Sequence, residues 1–237
     1  MGYGSNRNCN WTWLTLKRWR NVFIENIIKL IIKYFPIFLE GTSVTIVLAL
    51  IAVFFGTILG SLLAIAKISN NKILSKIASI YIEVFRGIPL LLQLWVIYLL
   101  TYSTLGKFIA VSFALLLNSA AYVAEIVRSG IDAVDVGQME AARSLGLSRS
   151  FSMRKIIFPQ AIKNILPALG NEFVAVIKET SLASVFYIGD LMTVKNTITT
   201  LTYLSLEPYI IIGCIYLFLT FTISKLIKRL EVKLNND

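Results

Sequence analysis

From Thr42 to Ala66 the chain runs for 25 residues without one charged side chain. About 20 apolar residues in a helix cross the hydrocarbon core of a bilayer, so this run predicts a membrane span. Four more runs have the same character. They are Ile77 to Leu100, interrupted by Glu83 and Arg86; Phe108 to Val127, with Glu125 near its end; Ile165 to Ile188, with Glu172, Lys178 and Glu179; and Pro208 to Ile227. Backbone groups in lipid must be satisfied within the segment, so all five are expected to be helices. The composition agrees: 57% of residues are hydrophobic, against about 45–50% in soluble domains. The expected fold is an all-α integral membrane protein with about five transmembrane helices.

The connections between these runs set the expected orientation. Lys67, Lys72 and Lys76 lie between the first two runs; Arg128, Arg143, Arg149, Arg154, Lys155 and Lys163 lie between the third and fourth; Lys225, Lys228, Arg229 and Lys233 lie in the tail. Five spans put these thirteen cations on one side, against eight on the other, which includes Arg7, Lys17, Arg18 and Arg20. Lys and Arg accumulate on the cytoplasmic side, so the long loop and C-terminus are expected there and the N-terminus outside. The net charge of +10 is thereby read as membrane orientation rather than as a nucleic-acid footprint.

Residues 1–25 are expected to be a poorly defined extension, since residues 1–20 have no clear apolar run of the signal-peptide kind. Residues 26–39 mix Ile, Leu and Phe with Lys29 and Lys33 at i, i+4, which predicts an amphipathic interfacial helix. A five-helix membrane core is expected over 40–230, with a loop at 138–159 and a cytoplasmic tail at 231–237.

Several chemistries are excluded. Histidine is absent and only two cysteines, Cys9 and Cys214, are present. The usual general base, the commonest metal ligand and any cysteine cluster are therefore missing. No Gly-x4-Gly-Lys-Ser/Thr phosphate loop occurs, so the chain is not expected to hydrolyse ATP itself.

The stretch Gln138 to Pro159, QMEAARSLGLSRSFSMRKIIFP, is polar and basic yet rich in helix formers. Glu140, Ala141 and Ala142 are read as the start of a short helix that Gly146 breaks. Ser148 is placed to cap a second helix through Ile156, and Pro159 to end it. The predicted shape is a helix–turn–helix knob on the cytoplasmic side. A plain solvated loop is the competing reading.

The spacing Glu140-Ala141-Ala142, Gly146, Ile156 and Phe158-Pro159 resembles the EAA loop of ABC importer permeases, with Phe158 where that family usually has Leu. Further resemblances follow in order along the chain. Phe85-Arg86-Gly87-Ile88-Pro89-Leu90-Leu91-Leu92-Gln93 is similar to the FRGTPLLxQ stretch of polar amino acid permeases. Ala121 to Gly130 is similar to their SAYxAEIxRGG, with Ser129 replacing a glycine, and Lys178-Glu179-Thr180-Ser181-Leu182 to their KDTSL. On this resemblance the chain is expected to have the type I ABC importer permease fold and to carry polar amino acids, basic ones among the candidates. The knob would seat on a separate ATPase that binds ATP and Mg. A second permease copy or a sister subunit, and an extracytoplasmic solute-binding protein, complete the implied assembly. Gly56 and Gly60 form a small-xxx-small packing face in the first span.

Charges within spans are costly and need protein, water or partner contacts. Glu83 and Arg86 are spaced at i, i+3 for an internal pair beside a bend at Gly87 and Pro89, either structural or part of a gate. Glu125 and Arg128 repeat that spacing at the entry to the knob. Glu172 and Glu179 share one face of the fourth run two turns apart, and Thr180, Ser181 and Gln93 are polar companions for a path. The two carboxylates either receive a cationic substrate or pair with a second permease copy. Two other functions stay open: an ABC permease for another small solute such as methionine, and an ion-coupled secondary transporter using Glu83, Glu172 and Glu179.

Overall fold

A computed structural model describes residues 8–236 of the chain, with side chains from 20 to 233. Residues 1–7 of the expected extension lie outside the described residues. Every regular element among the described residues is helical. They are α1 (Asn8–Lys67), α2 (Lys72–Gly87), α3 (Leu90–Leu105), α4 (Lys107–Asp132), α5 (Val136–Ser144), α6 (Arg149–Ser152), α7 (Phe158–Glu179), α8 (Leu191–Thr202) and α9 (Leu206–Asn236). A π turn, Met153–Ile157, joins α6 to α7, and a 3-10 segment, Thr180–Phe186, follows α7.

The expected boundary between an interfacial helix and the first span is not there. α1 is one helix of 60 residues with Pro36 inside it. Residues 26–39 do not lie apart on a surface: Leu30, Tyr34 and Phe38, at four-residue spacing, pack into a core with Leu191, Val194 and Ile198 of α8 and Ile211 and Ile212 of α9. Apolar burial along that face holds the helix together through the proline.

The run Ile77–Leu100 is also not one straight helix. It divides into α2 and α3, which meet at 111°. The residue before a proline is driven out of α geometry, and Ile88 is extended (φ −100°, ψ 136°). Pro89 has no N–H to give the carbonyl four residues back, that of Phe85. Gln93 supplies the replacement: its side-chain amide donates to Phe85 O and to Ile88 O, each at 2.7 Å. The bend foreseen at Gly87 and Pro89 is thus stapled rather than loose.

Three helices, α1 (from Arg20), α4 and α9, are each long and apolar enough to cross a membrane, and the bent α2–α3 pair makes a fourth crossing when taken together. The remaining expected span, the fourth run Ile165–Ile188, corresponds to α7 in its larger part. Its 22 residues would extend about 33 Å, but it is not among the helices apolar enough to qualify, its apolar run being interrupted by Lys163, Asn164, Asn171 and Glu172. α7 is instead sheltered by protein on one face, where Ala161, Ile165, Glu172, Val176 and Ile177 are buried.

α4 is the central element, running along α1. A Cβ on Gly60 would come within 2.6 Å of Ala120 O, and one on Gly56 within 3.1 Å of Ser119 Oγ. The small-xxx-small face therefore packs inside this chain, bringing α1 against α4. This contact aligns Ser119 with Glu172 of α7 and the end of α1 with Glu125.

Candidate functional site

The knob is built from local rules. Asp135 caps α5, accepting from Gly137 N at 2.7 Å, so the helix starts at Val136, four residues before the Glu140 expected to open it. At its other end Gly146 takes φ +81°. Leu147 N donates to Ala142 O and Gly146 N to Arg143 O, the paired bonds of a Schellman ending. Ser148 caps α6 as expected, accepting from Phe151 N at 3.3 Å. Pro159 does not end the helix. The chain passes through the π turn into α7 with Pro159 in the first turn of α7, where a missing N–H costs little.

Among the expected coupling residues, Glu140, Ala141, Gly146 and Pro159 are exposed, Ile156 is half-buried and Ala142 is buried. Ala142 belongs to the knob's own packing with Ser152 and Ile157, both also buried. Two residues escaped the sequence reading: Leu145, 80% exposed in the turn, and Phe151, 50% exposed on α6. A pair of large apolar side chains held outward by a rigid turn fits a protein partner better than water. Helical spacing gave no signal for either, because both sit where the period is interrupted.

The charged groups are arranged differently from expectation. Glu83 is exposed on α2 and makes no ion pair among the described residues. Arg86 instead crosses to Glu125 of α4, with Nη1 3.7 Å from Oε2, and lies over the Tyr122 ring at 5.7 Å. The expected Glu125–Arg128 pair does form, at 3.1 Å. Lys67, the last residue of α1, joins the same carboxylate at 2.5 Å, and Arg128 also reaches Asp132 at 2.5 Å. Three helices thus meet on one acidic group.

Deeper in the bundle Glu172 is buried and accepts from Ser119 Oγ at 3.0 Å. Glu179 is half-buried one face-repeat further along α7, and Lys178 is exposed. Thr180 is buried with its hydroxyl donating to Ile177 O, and Ser181 is half-buried. Gln93, on α3, has its amide nitrogen engaged by the α2–α3 staple.

A bundle of apolar helices with a bent span, buried acidic groups and a projecting helical knob defines a membrane permease domain. Residues 56–236 match the model of the binding-protein-dependent transport system inner membrane component family, and the chain belongs to that family. It is 42% identical over 211 residues to the putative glutamine transport system permease protein of Rickettsia bellii, spanning 86% of this chain and 97% of the relative. It is 41% identical over 210 residues to the arginine transport system permease protein of Bacillus subtilis, spanning 87% and 96%. Among solved structures, a crystal structure of an amino acid ABC transporter with histidines aligns with a TM-score of 0.83 at 48% identity, covering 86% of this chain and 96% of that one.

Proposed function

We propose that this chain is the translocation subunit of an ATP-driven importer of polar amino acids, cationic ones included. The observation that carries the proposal is the knob: a rigid, capped helix–turn–helix that presents Leu145 and Phe151 outward. A separate ATPase, holding ATP and Mg, would seat on it. An ion-coupled secondary transporter has no partner to place there. The cargo class is supported by the glutamine and arginine permeases at about 40% identity.

Two copies, or this chain with a sister subunit, would enclose the path, and an extracytoplasmic binding protein would deliver cargo. The knob and C-terminus face the cytoplasm in this reading, on the strength of the Lys and Arg distribution. Transport is then a gating cycle in which movement of the knob rocks the spans. Glu172 and Glu179, on one face of α7, with Thr180 and Ser181 beside them, are the candidate cargo contacts.

The test is reconstitution. The purified chain with its co-expressed ATPase and binding protein should accumulate arginine or glutamine in liposomes only with ATP. Accumulation by this chain alone, driven by a proton or sodium gradient, would overturn the assignment.

A further inference from the structure

The ion cluster on Glu125 joins parts of the fold that a permease must move relative to one another. Lys67 is the final residue of α1. Arg86 is the penultimate residue of α2, directly before the Gly87–Pro89 bend. Arg128 sits on the last turns of α4, and that helix ends at Asp132, three residues before Asp135 caps the knob. All three cations converge on one carboxylate whose side chain is only 18% exposed. Two of the contacts are within hydrogen-bonding distance, Lys67 at 2.5 Å and Arg128 at 3.1 Å, while Arg86 is held more loosely at 3.7 Å.

We propose that Glu125 is a positioning residue for coupling: a charge latch that holds the ends of α1 and α2 to the helix leading into the knob. It would release the α2–α3 bend only when the knob moves. The inference rests on the reading of the chain as an ATP-coupled permease.

The physical argument is one of counting charges. With Glu125 in place, three cations share one local anion, and Asp132 steadies Arg128 from outside. Without it, Lys67, Arg86 and Arg128 face one another with Asp132 alone for compensation, and like charges at this range repel. The ends of α1 and α2 would then separate from α4 without any push from the knob. The weakest tether is the one at the bend, as a latch requires: Arg86 is 45% exposed and can be taken up by water when it lets go. Gln93, donating from α3 to Phe85 O and Ile88 O, holds the bend as a rigid corner, so release moves α2 and α3 together as one bent unit without exposing backbone.

The experiment compares wild type, Glu125→Gln and Glu125→Asp in the complete complex, assembled with its ATPase and binding protein in liposomes. Amino acid accumulated and ATP hydrolysed are measured together. Wild type must first show ATP-dependent uptake; if it does not, the permease reading itself fails, separately from the latch. In Glu125→Gln, cargo-independent hydrolysis should rise and uptake per ATP should fall by at least about fivefold, the lower end of ordinary coupling factors. Glu125→Asp, which keeps the charge, should restore most of that ratio. A Glu125→Gln complex that is less heat-stable but keeps the wild-type uptake-to-ATP ratio would overturn the latch and leave only a structural ion pair. Should Glu125→Gln not assemble, Arg86→Gln removes the loosest tether alone. It should still lower uptake per ATP, and an unchanged ratio there overturns the proposal equally.

Discussion

Glu125 and Glu172 are both carboxylates on long helices of the same bundle, and their surroundings are opposite. Glu125 lies at the end of α4 nearest the knob, among three cations drawn from three helices. Glu172 lies deeper, on α7, and its one hydrogen-bond partner among the described residues is the Ser119 hydroxyl. A carboxylate has about four lone-pair sites. At Glu125 these are largely taken; at Glu172 most remain open. A committed carboxylate holds structure in place, and an uncommitted one can receive something that arrives. The helix the carboxylate sits on does not distinguish the two roles. The side chains that neighbouring helices bring to it do.

The contrast can be broken most forcefully at the committed site. Glu125→Leu leaves three cations uncompensated and should lower stability by about 2–3 kcal/mol, a cost in the range for stripping a partner from charge-assisted bonds. Thermal unfolding in detergent would register it, and a melting temperature equal to wild type would show that the cluster carries no weight. Next in size is Gln93→Leu. It deprives Phe85 O and Ile88 O of their donor beside Arg86 and should cost about 2 kcal/mol. Proteolysis near residue 88 should quicken in parallel, and an unaltered cleavage rate would mean the bend does not need its staple.

At the uncommitted site the effect should fall on cargo rather than on folding. Glu172→Gln keeps an acceptor for Ser119, so stability should shift little. Apparent affinity for arginine should weaken about fivefold, equivalent to about 1 kcal/mol, while that for glutamine changes less. Equal affinity for every amino acid tested removes Glu172 from the path. The smallest effect expected is that of Ser119→Ala, about 0.5–1 kcal/mol for the net worth of a single hydrogen bond. A loss larger than that of Glu125→Leu would invert the comparison.

The pattern of apolar runs, the knob with its Gly146 turn and Ser148 cap, the bend at Gly87 and Pro89 and the Glu125–Arg128 pair were all legible along the chain. Each depends on residues within a few positions of one another: hydropathy over a span, φ at a glycine, the geometry before a proline, the i, i+3 spacing. The same local reasoning failed wherever a distant element intervened. Residues 26–39 looked like a separate interfacial helix, yet α1 runs on through Pro36 because Leu30, Tyr34 and Phe38 bury against α8 and α9; Pro159 looked like a stop, yet α7 continues out of a π turn. Arg86 was paired with its neighbour Glu83 on spacing, but α4 offers it Glu125 already flanked by two cations and a tyrosine ring. Gln93 read as a polar side chain for a path, and only the orphaned carbonyl of Phe85 shows why an amide is needed there.

The sequence by itself therefore determined that this protein is a bundle of apolar helices with a projecting knob, because lipid leaves the backbone few alternatives and the knob's turns are set by local φ preferences. Tertiary structure alone decided which charges meet across helices. A side chain's partner is chosen by the helices packed beside it, and the close approach that Gly56 and Gly60 allow between α1 and α4 is what brings Lys67 within reach of Glu125.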